Sequence, residues 1–214
     1  MSDPAAKAAI ATADPLMAEF IERAGMPPPR PRVGDPLASL ARAIVFQQLA
    51  TRAAAAIHGR FVEAIGGTVS AAAILATEER VLRAAGLSNA KTIALLDLAA
   101  RVTDATVPLD GLADLPDDEI VARLTTVRGI GRWTAEMFLL FELQRPDVWP
   151  VDDLGVRHGW RLIHRETELL APRALQAEGD RFRPFRSTVA LLCWHAVHVD
   201  RGEVDVPGPV QPDA

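Results

Sequence analysis

An all-α fold is the expectation, on three observations. Alanine and leucine dominate a chain of 214 residues that is 49% hydrophobic, and both residues favour helix. Runs of β-branched residues are short. Apolar positions recur at helical spacing between proline, aspartate and glycine boundaries, and no stretch reads as a convincing strand.

The elements follow in order. Residues 1–12 read as a disordered tail. Asp14-Pro15 is an N-cap followed by proline at the first helical position, and Gly25 closes that helix. "MPPPRPRVGD" is a rigid connector with little helix. Asp35-Pro36 starts a helix carrying "LASLARAIVFQQLA". The next begins near Thr51, sets Ile57, Phe61 and Ile65 on one face, and ends at Gly66-Gly67. Short helices are expected over 70–75 and 78–85, a turn at 86–89, and a helix over 90–102. "PDDE" opens another at Pro116, ending near Val127. Further helices are expected over 132–143, 153–164, about 172–179 and 184–199, with "QRPDVWPVDD" a loop. The closing "VPGPVQPDA" reads as a flexible tail.

Composition removes several function classes. The single cysteine, Cys193, excludes an internal disulfide framework, a Cys-rich zinc site and a four-cysteine iron–sulfur cluster; a buried core position suits it. His158, His164, His195 and His198 form no metal-ligating pattern, so neither metal nor cofactor is expected. The start lacks the order of a signal peptide and no apolar run reaches membrane-span length, so a cytoplasmic protein is expected. The net charge of −5 argues against a generic nucleic-acid binder. Yet residues 123–186 hold 11 arginines against 9 carboxylates, a local +2, so a basic face on an acidic protein is open beside an ordinary solvated surface.

The most informative stretch is "TTVRGIGRWTAEM", residues 125–137. Val127-Arg128-Gly129-Ile130-Gly131 reverses the chain between two helices. Both glycines can take positive φ, and Ile130 can pack back between the helices. Gly131 leads into a helix, so unpaired N–H groups sit at a positive helix end, a favourable place for phosphate. Arg128 and Arg132 flank it and could grip a sugar–phosphate backbone without reading sequence. On its own, Gly-x-Gly is more often a plain helix–helix turn.

The longer segment "LTTVRGIGRWTAEMFLLFEL", followed by "VWPVDDLGVR", resembles the helix-hairpin-helix DNA glycosylases, closest to the 3-methyladenine DNA glycosylase II branch. "LARAIVFQQLATRAAAAI", "AGLSNAKTIALLDLA" and "FRPFRSTVALLCWHA" are similar to other family segments in the same order, so the resemblance covers about residues 35–198. It implies a two-lobed helix-hairpin-helix DNA glycosylase fold with the active site in the cleft between lobes. The first lobe would comprise 13–103 plus 166–200, the hairpin lobe 104–165, and 201–214 a tail. Too few residues precede Asp35 for the β domain of larger relatives, which points to the compact form.

The resemblance also implies roles. Asp153, second of the Asp-Asp pair and twenty residues past Trp133, corresponds to the family's essential aspartate. A fixed carboxylate beside C1′ stabilises positive charge on the sugar as the glycosidic bond breaks, and can orient or deprotonate the attacking water. Asp152 takes the plainer role of capping the helix. Trp133, Met137 and Trp194 would line the base pocket, where indole faces attract a cationic methylated base. Related enzymes can carry tyrosine where Met137 stands, and this chain has no tyrosine. Bifunctional relatives carry a Schiff-base lysine at the place of Trp133, whereas the only lysines here are Lys7 and Lys91. Gln47, Gln48 or Leu49 would fill the gap left by a flipped base; the residues alone give only an exposed polar turn. Arg186 and Ser187 could bond phosphate or support the Asp153 loop, with support the better reading. Phe182 and Phe185 are expected in the core.

The implied activity is monofunctional hydrolysis of the N-glycosidic bond of alkylated bases in base excision repair, by base flipping. The bases would be 3-methyladenine, with 7-methylguanine a candidate. The implied partner is damaged double-stranded DNA, bound by a monomer, with no membrane. Two alternatives stand beside it: a glycosylase for other damaged bases such as hypoxanthine, and a non-catalytic helix-hairpin-helix DNA-binding protein.

Overall fold

The computed structural model of the chain describes residues 4–27, 32, 34–49 and 51–204. Among them there is helix and no strand. Twelve α-helices are described: α1 (Pro4–Ala13), α2 (Pro15–Ala24), α3 (Pro36–Phe46), α4 (Thr51–Ala64), α5 (Ala71–Ala76), α6 (Glu79–Ala84), α7 (Asn89–Thr103), α8 (Asp117–Leu124), α9 (Arg132–Phe141), α10 (Leu154–His164), α11 (Pro172–Gly179) and α12 (Arg186–Asp200). None is long and apolar enough to cross a membrane.

Local chemistry sets most of the starts. Asp14 caps α2 by accepting from the amides of Leu16 and Met17, and Gly25 ends it at φ 75°. Asp35 caps α3 through the Ala38 amide, Ser70 caps α5 and Ser88 caps α7. Proline occupies the first turn of α2, α3 and α11, where its missing N–H costs nothing.

The chain forms two compact units, 1–31 with 145–214, and 32–144. This departs from the expected lobes of 13–103 plus 166–200 and 104–165. The reason is packing that sequence periodicity does not encode. α10 lies against α12 and α2, so the segment after the proline loop joins the C-terminal helices rather than the hairpin. The expected tail at 1–12 is also corrected, because α1 buries Ala6 and Ile10 against its unit. The terminal "VPGPVQPDA" and half of "MPPPRPRVGD" lie outside the described residues.

In the first unit the core gathers Met17, Phe20, Trp149, Trp160 and Phe182. Trp160 is stacked on His164 and meets Trp149 and Phe182 edge-on. His164 bridges the Trp160 carbonyl and Asp14 Oδ2, each at 2.9 Å, and Arg181 donates to the same carboxylate oxygen at 2.9 Å. Burial would push the Asp14 carboxyl up. The bonds from His164 and the Met17 amide and the charges of His164 and Arg181 outweigh it, and hold the group below its ordinary value.

In the second unit α7 is the central strut. It packs against α3, α5 and α6, while α9 packs against α3 and α8. Leu40, Ile44, Phe61, Leu95, Leu98 and Phe138 form the core between them.

Candidate active site

Asp153 sits where the chain enters α10. Its Oδ1 accepts from the Val156 amide at 2.8 Å, which makes Asp153 the N-cap of that helix. This corrects the assignment of the cap to Asp152, which is exposed. The helix begins at Leu154, one residue later than a cap at Asp152 requires. The same Oδ1 accepts from Trp194 Nε1 on α12, also at 2.8 Å. A carboxylate held by two N–H donors at the start of a helix is fixed in its orientation.

Two glycines on α10 make this contact possible. A Cβ on Gly155 would lie 2.7 Å from Trp194 Cδ1 and Nε1, so only glycine lets the indole lie over the first helical turn. A Cβ on Gly159 would lie 1.8 Å from the Cys193 carbonyl oxygen; α10 and α12 touch backbone to backbone there. Cys193 is fully buried, and burial first, with the Asp153 charge second, pushes its thiol far above the ordinary value. It is a packing residue, not a nucleophile.

The loop that delivers Asp153 is held at several points. Ser187 Oγ donates to the Arg145 carbonyl at 2.6 Å and accepts from the Val148 amide at 2.9 Å. Arg186 forks onto Asp147, with Nε to Oδ1 at 2.8 Å and Nη2 to Oδ2 at 2.9 Å. Trp149 Nε1 donates to the Leu175 carbonyl at 2.9 Å. Arg186 and Ser187 are both buried, so their bonding capacity is committed to the loop.

The hairpin lies in the other unit. Val127 and Ile130 are buried and the Ile130 amide bonds the Val127 carbonyl at 3.1 Å. The two glycines differ. Gly129 takes φ 80°, and an added Cβ would lie 2.8 Å from the Ala94 side chain. Gly131 does not use positive φ; it is extended at φ −90°, ψ 176°, with open space at the Cβ position. The amides of both exposed glycines donate to no acceptor among the described residues, and Gly131 is the N-cap of α9. The Arg128 amide, by contrast, donates to Asp97 Oδ2 at 2.7 Å. Arg128 is exposed, and Arg132 is paired with Glu136 on its own helix at 2.8 Å.

Trp133 is partly exposed on the first turn of α9 and Met137, one turn on, is buried. Gln47, Gln48 and Leu49 follow α3. They are not equivalent. Gln47 Nε2 donates to the Gly129 carbonyl at 2.9 Å and to Thr134 Oγ1 at 3.0 Å. Gln48 is exposed at φ 54°, and Leu49 is 40% exposed. Sequence reading missed Asp97, Gly155 and Gly159. Asp97 had one faint signal, a lone acid on the same helical stripe as Ala94 and Lys91.

A model described as "HhH-GPD superfamily base excision DNA repair protein" matches residues 41–184. The chain belongs to this superfamily. Within it, the chain is 34% identical to DNA-3-methyladenine glycosylase 1 of Schizosaccharomyces pombe over 181 residues, 83% of this chain and 78% of that protein. The solved structure of a 3-methyladenine DNA glycosylase from the same yeast, bound to abasic DNA, matches with a TM-score of 0.81 at 30% identity, covering 88% of this chain and 94% of that one. A DNA-3-methyladenine glycosidase from Bacillus halodurans matches with a TM-score of 0.80 at 30% identity, over 94% and 93%. These two solved structures thus share the fold described above over most of their length.

Proposed function

We propose that this protein is a monofunctional DNA glycosylase that hydrolyses the N-glycosidic bond of alkylated bases, 3-methyladenine above all, in base excision repair. The observation that carries the reading is the seat of Asp153, with Trp194 Nε1 and the Val156 amide each 2.8 Å from Oδ1. The likeness to the yeast and bacillar 3-methyladenine enzymes supports the substrate class.

The chemistry follows from the charge balance. An N3- or N7-alkylated purine is cationic and departs neutral, so it needs no general acid. The sugar is left with oxocarbenium character, which an oriented carboxylate stabilises where it develops. Asp153 also takes the proton from, or aligns, the attacking water. Trp194, which is bonded to Asp153, offers an indole face to the cation. Lys91 Nζ is bonded to the Val45 and Gln47 carbonyls, each at 2.8 Å, so it is committed to structure rather than to a Schiff base. The free amides of Gly129 and Gly131, with Arg128, grip phosphate, and the protein acts as a monomer on duplex DNA.

The test is one incubation of methylated duplex with wild type and Asp153→Asn, the released bases being identified by chromatography. Asparagine caps helices as well as aspartate, so the substitution removes the charge and keeps the cap. The reading expects 3-methyladenine from wild type and none from the variant at matched DNA binding. Equal release by both would overturn it.

A further inference from the structure

One face of α7 touches both elements assigned above to DNA. Lys91, Ala94 and Asp97 recur every three residues and so share one side of the helix. Asp97 Oδ2 accepts from the Arg128 amide at 2.7 Å and from Arg101 Nε at 2.9 Å. Ala94 fills the space that a side chain on Gly129 would need. Lys91 Nζ donates to the Val45 and Gln47 carbonyls, each at 2.8 Å. Those carbonyls belong to the C-terminal end of α3, where backbone acceptors lack helical partners and a cation is favoured.

Gln47 closes the circuit. Its carbonyl is held by Lys91 and its side-chain amide by the Gly129 carbonyl and the Thr134 hydroxyl. Every link runs from the loop after α3 to the hairpin, directly or through α7. The residues beyond the latch, Gln48 and Leu49, are exposed. Gln48 holds φ 54°, a left-handed conformation that a non-glycine residue avoids unless its surroundings impose it.

We infer that Lys91 is a positioning residue for base flipping: through Gln47 it fixes the exposed Gln48–Leu49 tip in register with the hairpin. Gln47 is then the anchor of the tip and not the side chain that enters the duplex. Filling the gap opposes re-stacking of the flipped base, and a tip misplaced by an ångström loses much of that effect. The inference rests on the glycosylase reading.

The experiment compares single-turnover excision of 7-methylguanine paired with cytosine and unpaired opposite an abasic-site analogue. Lys91→Met keeps an unbranched side chain, one atom shorter, and removes its donors. It is expected to slow the paired substrate about tenfold, while the unpaired one, which has less to pay for opening, changes less than about twofold. Equal loss on both substrates, or no loss on the paired one, would overturn the inference. Gln47→Met, which removes the other arm of the latch, is measured beside it and carries the test if the lysine variant melts early. Where wild type spares 7-methylguanine, the excision comparison falls away, and the glycosylase reading fails only if 3-methyladenine is not released from methylated duplex either. The latch is then judged on binding alone, by 2-aminopurine fluorescence beside an abasic-site analogue. A wild-type signal that both variants lose upholds the latch, and an unchanged signal removes it.

Discussion

At the seat of Asp153, backbone meets backbone: the Cys193 carbonyl occupies the space where Gly159 would otherwise carry a Cβ. At the hairpin and the loop after α3, polar side chains span the gaps, with Gln47, Lys91 and Asp97 each reaching across from another element. Both arrangements hold a few functional atoms on a helical frame. They differ in how they fail. A steric contact has no intermediate setting, because packed interiors take up extra atoms poorly. A set of hydrogen bonds can be removed one at a time, each at modest cost. The unit that carries Asp153 should therefore break abruptly, and the unit that carries the hairpin should weaken by degrees.

The strongest break is Gly159→Val. Prising α10 from α12 is expected to cost more than about 4 kcal/mol, a large part of a domain's typical stability. Urea unfolding should show loss of the cooperative transition; a native-like midpoint would refute the close-packing account.

Next comes the pair of hairpin glycines. Gly129→Ala meets Ala94 and a positive φ, and should lower affinity for abasic duplex about tenfold by anisotropy. Gly131→Ala has an extended backbone and open space, and should bind within about twofold of wild type. Equal effects at the two positions would contradict the asymmetry.

The finest probe is Trp194→Phe. It keeps an aromatic face and removes the donor to Asp153, so excision of 3-methyladenine and 7-methylguanine should fall together, about tenfold, with DNA binding intact. A change in their ratio would mean that the indole acts on the base more than on the carboxylate.

Much of the helical frame was legible because its punctuation is local. Asp14-Pro15, Asp35-Pro36 and Ser70 each carry a cap signal in two or three residues, and each starts a helix. The N-terminal segment misled because "PAAKAAIATA" has no capping signal; its helix buries Ala6 and Ile10 and packs on α2 and on residues 180–182. The division into units failed for a related reason: glycines that let α10 meet α12 look, in sequence, like poor helix formers. The Asp-Asp pair stood out in the sequence, but which member caps depends on where one helical turn begins. The role of Gln47 was hidden because its partners, Gly129 and Thr134, lie more than eighty residues away.

The central claim is that the Asp153 carboxylate drives base release. Its most direct measurement is the single-turnover rate of 3-methyladenine release from methylated duplex by Asp153→Asn, with binding to abasic duplex measured in parallel. The account predicts a loss of about a thousandfold or more with binding within about threefold of wild type. Release at the wild-type rate, by a variant that still binds, would contradict it.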